Sequence, residues 1–245
     1  MLDKFKKQWE TLGKEDPYWA VLSDPQKKGG KWSEEEFFAT GYEEIENLFV
    51  RTSQLGLEPS RCVALDYGCG VGRLSRALSG SFENVIGVDV SQAMLAEAQS
   101  VNQGYDNIQF FQNDGKSLNN IQDGIVDFIY CNLVLQHSPR TVQASIIKEF
   151  CRVLRPKGVL VFQTASTQNR KTIGGLAHYC FGNLADKLVT RIQHGGKYIM
   201  EMHTIKKQEV IKILEENKMQ LVEVEKSDCA GRAFISHRYY AIKMV

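Results

Sequence analysis

Apolar positions along the first 58 residues recur at helical spacing. Leu2, Phe5, Trp9 and Leu12 fall on one face, and Gly13 reads as the stop. Asp16-Pro17 then predicts an N-cap and first-turn pair for the short run YWAVL. Ser33 with Glu36 forms a capping box and Trp32 with Phe37 its hydrophobic staple. Gly41 is expected to interrupt that helix, with Ile45, Leu48, Phe49 and Leu55 as an apolar stripe beyond it.

From residue 60 the period changes. CVALD, NVIGVD, NIQFF, VDFIYC and VLVFQT are short runs rich in β-branched and aromatic residues, and amphipathic segments at 71–79, 91–101 and 140–153 separate several of them. This alternation predicts parallel strands joined by right-handed helical crossovers. RPKG at 155–158 ends a helix and starts a strand. Residues 165–204 break the rhythm with one helix expected around 175–192; a helix at 205–217 and strand-like runs at 220–226 and 234–244 follow. The expected organisation is a helical extension at 1–58 packed as a lid on a domain at 59–245, with 165–204 inserted on the acceptor side.

Composition narrows the field. At 245 residues with 43% hydrophobic and 24% charged positions, the chain can bury a core. A formal net charge of +1 counts against a nucleic-acid binder that works by blanket electrostatics. No apolar run is long enough to span a bilayer, so no membrane partner is expected. The N-terminus MLDKFKKQWE lacks the apolar stretch of a signal peptide, and six scattered cysteines without CxxC or zinc spacing point to a reducing, cytoplasmic setting and no metal. From Arg170 to Lys197 five basic residues face one acid, Asp186, a local +4. It suits an acceptor bearing carboxylate or phosphate, or simply a solvated helix face.

The chemistry gathers at Leu65-Asp66-Tyr67-Gly68-Cys69-Gly70-Val71-Gly72, after a strand and before a helix. Glycines there let backbone turn tightly and approach a ligand, and the helix behind offers free N–H groups. The spacing is GxGxG; a dinucleotide loop needs GxGxxG, and Arg73 or Ser75 stands where its third glycine would be. Asp89 ends the next strand, 21 residues after Gly68, placed either to accept hydrogen bonds from ribose hydroxyls or to cap the helix near Ser91.

LDYGCGVGRLSRAL followed by VIGVDVSQAML resembles the class I S-adenosylmethionine-dependent methyltransferases, over roughly residues 60–164. The resemblance implies that Asp66, Gly68, Cys69, Gly70 and Gly72 cradle the methionyl end of the cofactor. It places Asp89 and Val90 at the adenosine, with Met94 packed on adenine or in the core. Asn113-Asp114-Gly115 resembles the third-strand motif, whose acid meets the adenine amino group; Asp114 is otherwise a turn residue. VDFIYCN resembles the fourth-strand motif and puts Asn132 beside the methionyl group. The implied fold is a Rossmann-like, doubly wound, seven-stranded and mostly parallel sheet whose last two strands form an antiparallel edge pair. The implied reaction is methylation of O or N on a small molecule, an acidic one if the basic insert meets the acceptor, leaving S-adenosylhomocysteine; the sequence sets no oligomeric state.

His137, five residues past Asn132, is the best-placed imidazole for a general base, or a loop-structuring residue. His178, His194 and His203 lie where related enzymes build acceptor pockets. If the N-terminal segment is a lid, Trp32, Phe37 and Thr40 line it. Rivals are a non-catalytic cofactor-binding partner on the same fold, an aminopropyl transferase, which the basic insert opposes, and a nicotinamide dehydrogenase, which the glycine spacing opposes. CNLV after the fourth strand is not the Asn/Asp-Pro-Pro-Tyr type of motif, which argues against methylation of nucleic-acid bases.

Overall fold

Val126–Cys131 is buried at every position, the mark of a strand covered on both faces. In the computed structural model, which describes residues 2–182, 184–185 and 200–245, it is the centre of a seven-stranded sheet. The strands are β1 (Val63–Tyr67), β2 (Asn84–Asp89), β3 (Ile108–Gln112), β4 (Val126–Cys131), β5 (Leu154–Gln168), β6 (Met219–Ser227) and β7 (Phe234–Lys243), in the order β3-β2-β1-β4-β5-β7-β6. β1 to β5 pair in parallel, while β7 runs antiparallel to both β5 and β6. The edge pair is therefore antiparallel, as the sequence suggests.

Period-two alternation divides the core between the faces. Leu65, Ile129 and Leu160 pack on one side with Ile147, Phe150 and Leu214; Ala64, Phe128 and Val161 pack on the other with Leu78, Val85 and Tyr240. The helices are α1 (Leu2–Glu15), α2 (Pro17–Val21), α3 (Glu34–Gln54), α4 (Arg73–Ser79), α5 (Gln92–Val101), α6 (Arg140–Val153), α7 (Ile173–Phe181) and α8 (Lys207–Glu216).

Three local expectations change. α1 runs through Gly13 to Glu15; that glycine is a point of close approach, since a Cβ there would lie 3.1 Å from Met94 Cγ. α3 is continuous through Gly41, where a Cβ would sit 2.5 Å from the Arg73 carbonyl oxygen. Asp16 stands at the N-cap of α2, yet its carboxylate accepts from the Gly29 (2.7 Å) and Gly30 (3.2 Å) N–H groups instead of capping. The Ser33–Glu36 capping box is present, and Trp32 meets Phe37 edge-on with ring centroids 5.8 Å apart. Of the expected 175–192 helix, α7 covers the first part; Lys187, Arg191, His194 and Lys197 lie outside the described residues.

Candidate functional site

The chain leaves β1 for β2 and β3 on one side and for β4 and β5 on the other, so the sheet order reverses beside β1, where open α/β sheets bind ligands. The glycine loop turns at this point with φ of +74° at Gly68, +53° at Gly70 and +82° at Gly72. Gly68 and Cys69 N–H both donate to the Val88 carbonyl, at 2.8 and 3.0 Å, which ties the turn to β2. A Cβ on Gly68 would come within 2.4 Å of Val134, and one on Gly70 within 2.6 Å of Val21. Side chains are thus excluded on both flanks of the loop.

Asp89 joins the loop to α5. Its two oxygens accept from Gly70 N–H at 3.0 Å and Ser91 N–H at 2.9 Å, and Ser91 rather than Asp89 caps α5 through its hydroxyl. Each oxygen keeps a lone pair for a ligand hydroxyl. Burial pushes the Asp89 carboxyl above its ordinary range against these backbone bonds. Asp66 is also buried, accepts from Ser75 Oγ at 2.7 Å, and is pushed up to about 6 by burial.

These residues line a cleft of about 810 Å³, its mouth included, in the usual range for small-molecule sites. Asp66, Gly68, Cys69, Gly70, Asp89, Val90, Met94, Asn113 and Asn132 all face it. Gly72 does not; it starts α4 in a left-handed conformation, where a Cβ would lie 2.7 Å from Asn102 Nδ2. The structure does not bring Asp114 or Gly115 to the cleft either. Asp114 Oδ1 accepts from Lys116 N–H (2.7 Å) and Ser117 N–H (2.8 Å), the turn alternative of the sequence reading.

The N-terminal wall differs from the expected one. Phe5, Trp9, Ala20 and Val21 line the cleft. Trp32, Phe37 and Thr40 stand away from it: Phe37 stacks on Tyr18 at 4.5 Å, Trp32 packs on Phe37, and Thr40 donates to the Phe37 carbonyl at 2.6 Å. They belong to the packing beneath the wall. Glu10 fastens α1 to the start of α5, accepting from Ser91 Oγ at 2.9 Å and Ala93 N–H at 3.0 Å, a free donor of α5's first turn. No sequence signal marks Phe5 and Trp9 beyond their apolar stripe, because a stripe that walls a ligand cleft has the same period as one that fills a core.

A second residue the sequence did not single out is Glu44 of α3. It accepts from Arg73 Nη2 (2.6 Å), Tyr130 Oη (2.8 Å) and Asn132 Nδ2 (2.7 Å). Burial opposes its charge, but the Arg73 guanidinium and the hydrogen bonds outweigh it and hold the carboxyl below its usual range. Because Asn132 Nδ2 is committed to Glu44, its buried Oδ1 is left as an acceptor without a partner, and Arg73 Nε as a donor without one. Both residues line the cleft. One free acceptor and one free cationic donor fit the ammonium and carboxylate of an amino-acid tail.

His137 lies next to the cleft, in a smaller hollow lined by Phe5, Gln8, Trp9, Pro139, Met200, Glu201 and His203, with Phe5 and Trp9 shared between the two. Its Nδ1 is 3.2 Å from the Glu201 carbonyl; a carbonyl only accepts, so Nδ1 carries the proton and Nε2 the lone pair. Burial pushes its pKa down to about 4. His203 shares the hollow, 3.8 Å from the Glu201 carboxylate. His178 is elsewhere, on the inner side of α7 and edge-on to Phe234.

Residues 65–162 match the family model described as a methyltransferase domain. Over these residues the chain is similar to class I S-adenosylmethionine-dependent methyltransferase domains. Among its relatives, malonyl-[acyl-carrier protein] O-methyltransferase of Methylococcus capsulatus is 35% identical over 121 residues, 49% of this chain and 42% of that protein. Ubiquinone biosynthesis O-methyltransferase of Acinetobacter baumannii is 28% identical over 136 residues, 55% of this chain and 54% of that one. The matches span about half the length of these relatives. The fold is shared with magnesium protoporphyrin IX methyltransferase from Synechocystis, solved with S-adenosylhomocysteine bound (TM-score 0.59, 21% identity, covering 96% of this chain and 99% of that one). A Leishmania major S-adenosylmethionine-dependent methyltransferase gives 0.65 at 15% identity, covering 99% and 82%. S-adenosylmethionine is that family's cofactor, and the glycine loop, Asp89, Asn132 and Arg73 all face one cleft.

Proposed function

We propose that this chain transfers a methyl group from S-adenosylmethionine to an oxygen of a small molecule. The observation that carries the reading is the cleft itself: a glycine loop, a ribose-ready carboxylate at Asp89 and a complementary donor–acceptor pair for a zwitterion, all facing one space. The choice of oxygen over nitrogen rests on the O-methyltransferases among the relatives. When bound, S-adenosylmethionine supplies a methyl group activated by a positively charged sulfonium.

Every other part of the task falls to the chain. Asn132 and Arg73 hold the amino-acid tail and Asp89 the ribose, while Val90 and Met94 pack on the adenine. Phe5 and Trp9 shed water from the reacting side, where positioning alone supplies several kcal/mol of the barrier. The acceptor occupies the hollow behind Trp9. There the Nε2 lone pair of His137 accepts a hydrogen bond from its hydroxyl and aims the oxygen at the cleft. With a pKa near 4, His137 stays neutral at physiological pH and keeps that lone pair.

Calorimetric titration with S-adenosylmethionine, S-adenosylhomocysteine and NAD tests the site. Micromolar binding of the two sulfur compounds and none of NAD is expected, with Asp89→Ala weakening both by roughly two decades through two lost charge-assisted bonds. Silence from both sulfur compounds overturns the reading. Binding without turnover to S-adenosylhomocysteine across a panel of hydroxyl acceptors moves the protein to the non-catalytic class.

A further inference from the structure

A helix on a protein surface ordinarily turns its polar side outward. α7, with the sequence IGGLAHYCF, has no charged residue at all. Its inner side is set by Gly175 and His178, both buried; a Cβ on Gly175 would come 2.1 Å from the Asn169 carbonyl oxygen, so the helix cannot roll over. The outer side is consequently apolar. Ile173 is 92% exposed, Phe181 65%, Tyr179 55% and Leu176 47%, and Leu184 continues the patch at 65%. Other exposed large apolar residues among those described, such as Tyr42, Val50 and Phe111, are scattered along the chain, as on most surfaces.

Cations rim this face. Arg170 and Lys171 are exposed just before α7, and the Arg170 guanidinium lies 4.4 Å from the Tyr179 ring, which fixes its charge at the border of the patch. Arg232 is exposed on the neighbouring turn, whose carbonyl accepts from Asn169 Nδ2 at 3.1 Å and Thr172 Oγ1 at 3.4 Å. One acid, Asp228, is exposed on that turn. An apolar face bordered by Lys and Arg is the signature of a helix lying in a membrane interface, with side chains among the acyl chains and cations at the phosphates.

We propose that the outer face of α7 docks this protein on a lipid bilayer bearing anionic head groups. Among the described residues no helix is long and apolar enough to cross a membrane; surface contact is a separate matter. β5 is parallel to β4 and leads into α7 at its carboxyl end, the end of the sheet that holds the cleft. Docking through α7 therefore engages the same end of the sheet as the cleft. The docking stands independently of the methyl-transfer reading.

Co-sedimentation of the full chain with vesicles tests it, using phosphatidylglycerol mixed with phosphatidylcholine against phosphatidylcholine alone. Wild type should pellet with the anionic vesicles and at least tenfold less with the neutral ones, and added salt should weaken the binding. The I173E/F181E and R170E/K171E variants should each lose roughly tenfold or more in partitioning. Their thermal melts should match wild type, because all four side chains are exposed. Wild type left in the supernatant with anionic vesicles, or variants that bind as wild type does, would overturn the proposal. So would a wild-type dimer in gel filtration that I173E/F181E converts to monomer, since the face would then belong to a second copy.

Discussion

His137 illustrates how a single side chain can report on its surroundings through pH. Burial pushes its pKa from 6.5 down to about 4. Between those values the unfolded chain takes up a proton and the folded one does not, so stability falls as pH drops through that window. From pH 7.5 to 5 the loss is about 2 kcal/mol, and His137→Gln should remove it. Asp66 works the other way: its carboxyl, pushed up from 3.8 to about 6, favours the folded state as pH falls through that range. Both proteins keep Asp66, so the difference between their denaturation curves at pH 7.5 and 5 isolates the histidine. Equal pH dependence would place the imidazole in water. At this scale the sequence was informative wherever a role follows from position in a motif: Asp66, Asp89, Asn113 and Asn132 all reach the cleft. At Asp114 the turn alternative is seen, since Lys116 and Ser117 offer its Oδ1 backbone donors that the motif does not reveal. The sequence was silent on Glu44, because an acid amid the acids of α3 looks solvated until Arg73 is folded against it.

Among the elements, α1 and α3 show what two misread glycines contribute. Gly13 and Gly41 look like punctuation, since glycine weakens an isolated helix. Each instead lies where two segments touch: α1 on α5 at Gly13, and α3 on the Arg73 carbonyl at Gly41. Periodicity sees one element at a time and has no access to such contacts. Gly41→Ala should therefore cost about 1–3 kcal/mol in urea unfolding, as α3 backs away from α4. Gly104→Ala, with open space around the new Cβ, should stay within about 1 kcal/mol of wild type. Equal values for the two would mean that the α3–α4 contact yields easily. The α6 boundaries, Arg140–Val153, and the runs that form β1 to β5 were by contrast legible, since burial on both faces of a parallel sheet leaves continuous apolar runs.

For the molecule as a whole, the cleft couples binding to stability. S-adenosylhomocysteine at a hundred times its dissociation constant should add about 2.7 kcal/mol, which raises the melting temperature by roughly 5–10 °C for a chain of this size. NAD at the same concentration should leave it unchanged, and Asp89→Ala, weakened by two decades, should keep only about 0.4 kcal/mol, roughly 1–2 °C, of the shift; scanning calorimetry reads all three. The network around Glu44 also bears on how such a domain is inherited. The recognisable segment, residues 65–162, carries Arg73, Tyr130 and Asn132, but the carboxylate that satisfies them comes from α3, and the cleft's outer wall from α1 and α2. β5, much of it inside that segment, hydrogen-bonds along most of its length to β7, outside it. Cut out alone, the segment would keep a buried guanidinium with no counter-ion and an open sheet edge. What the family model recognises here is a motif grammar, whereas the unit that folds is the longer chain, and a graft of the matched stretch would have to bring its own glutamate.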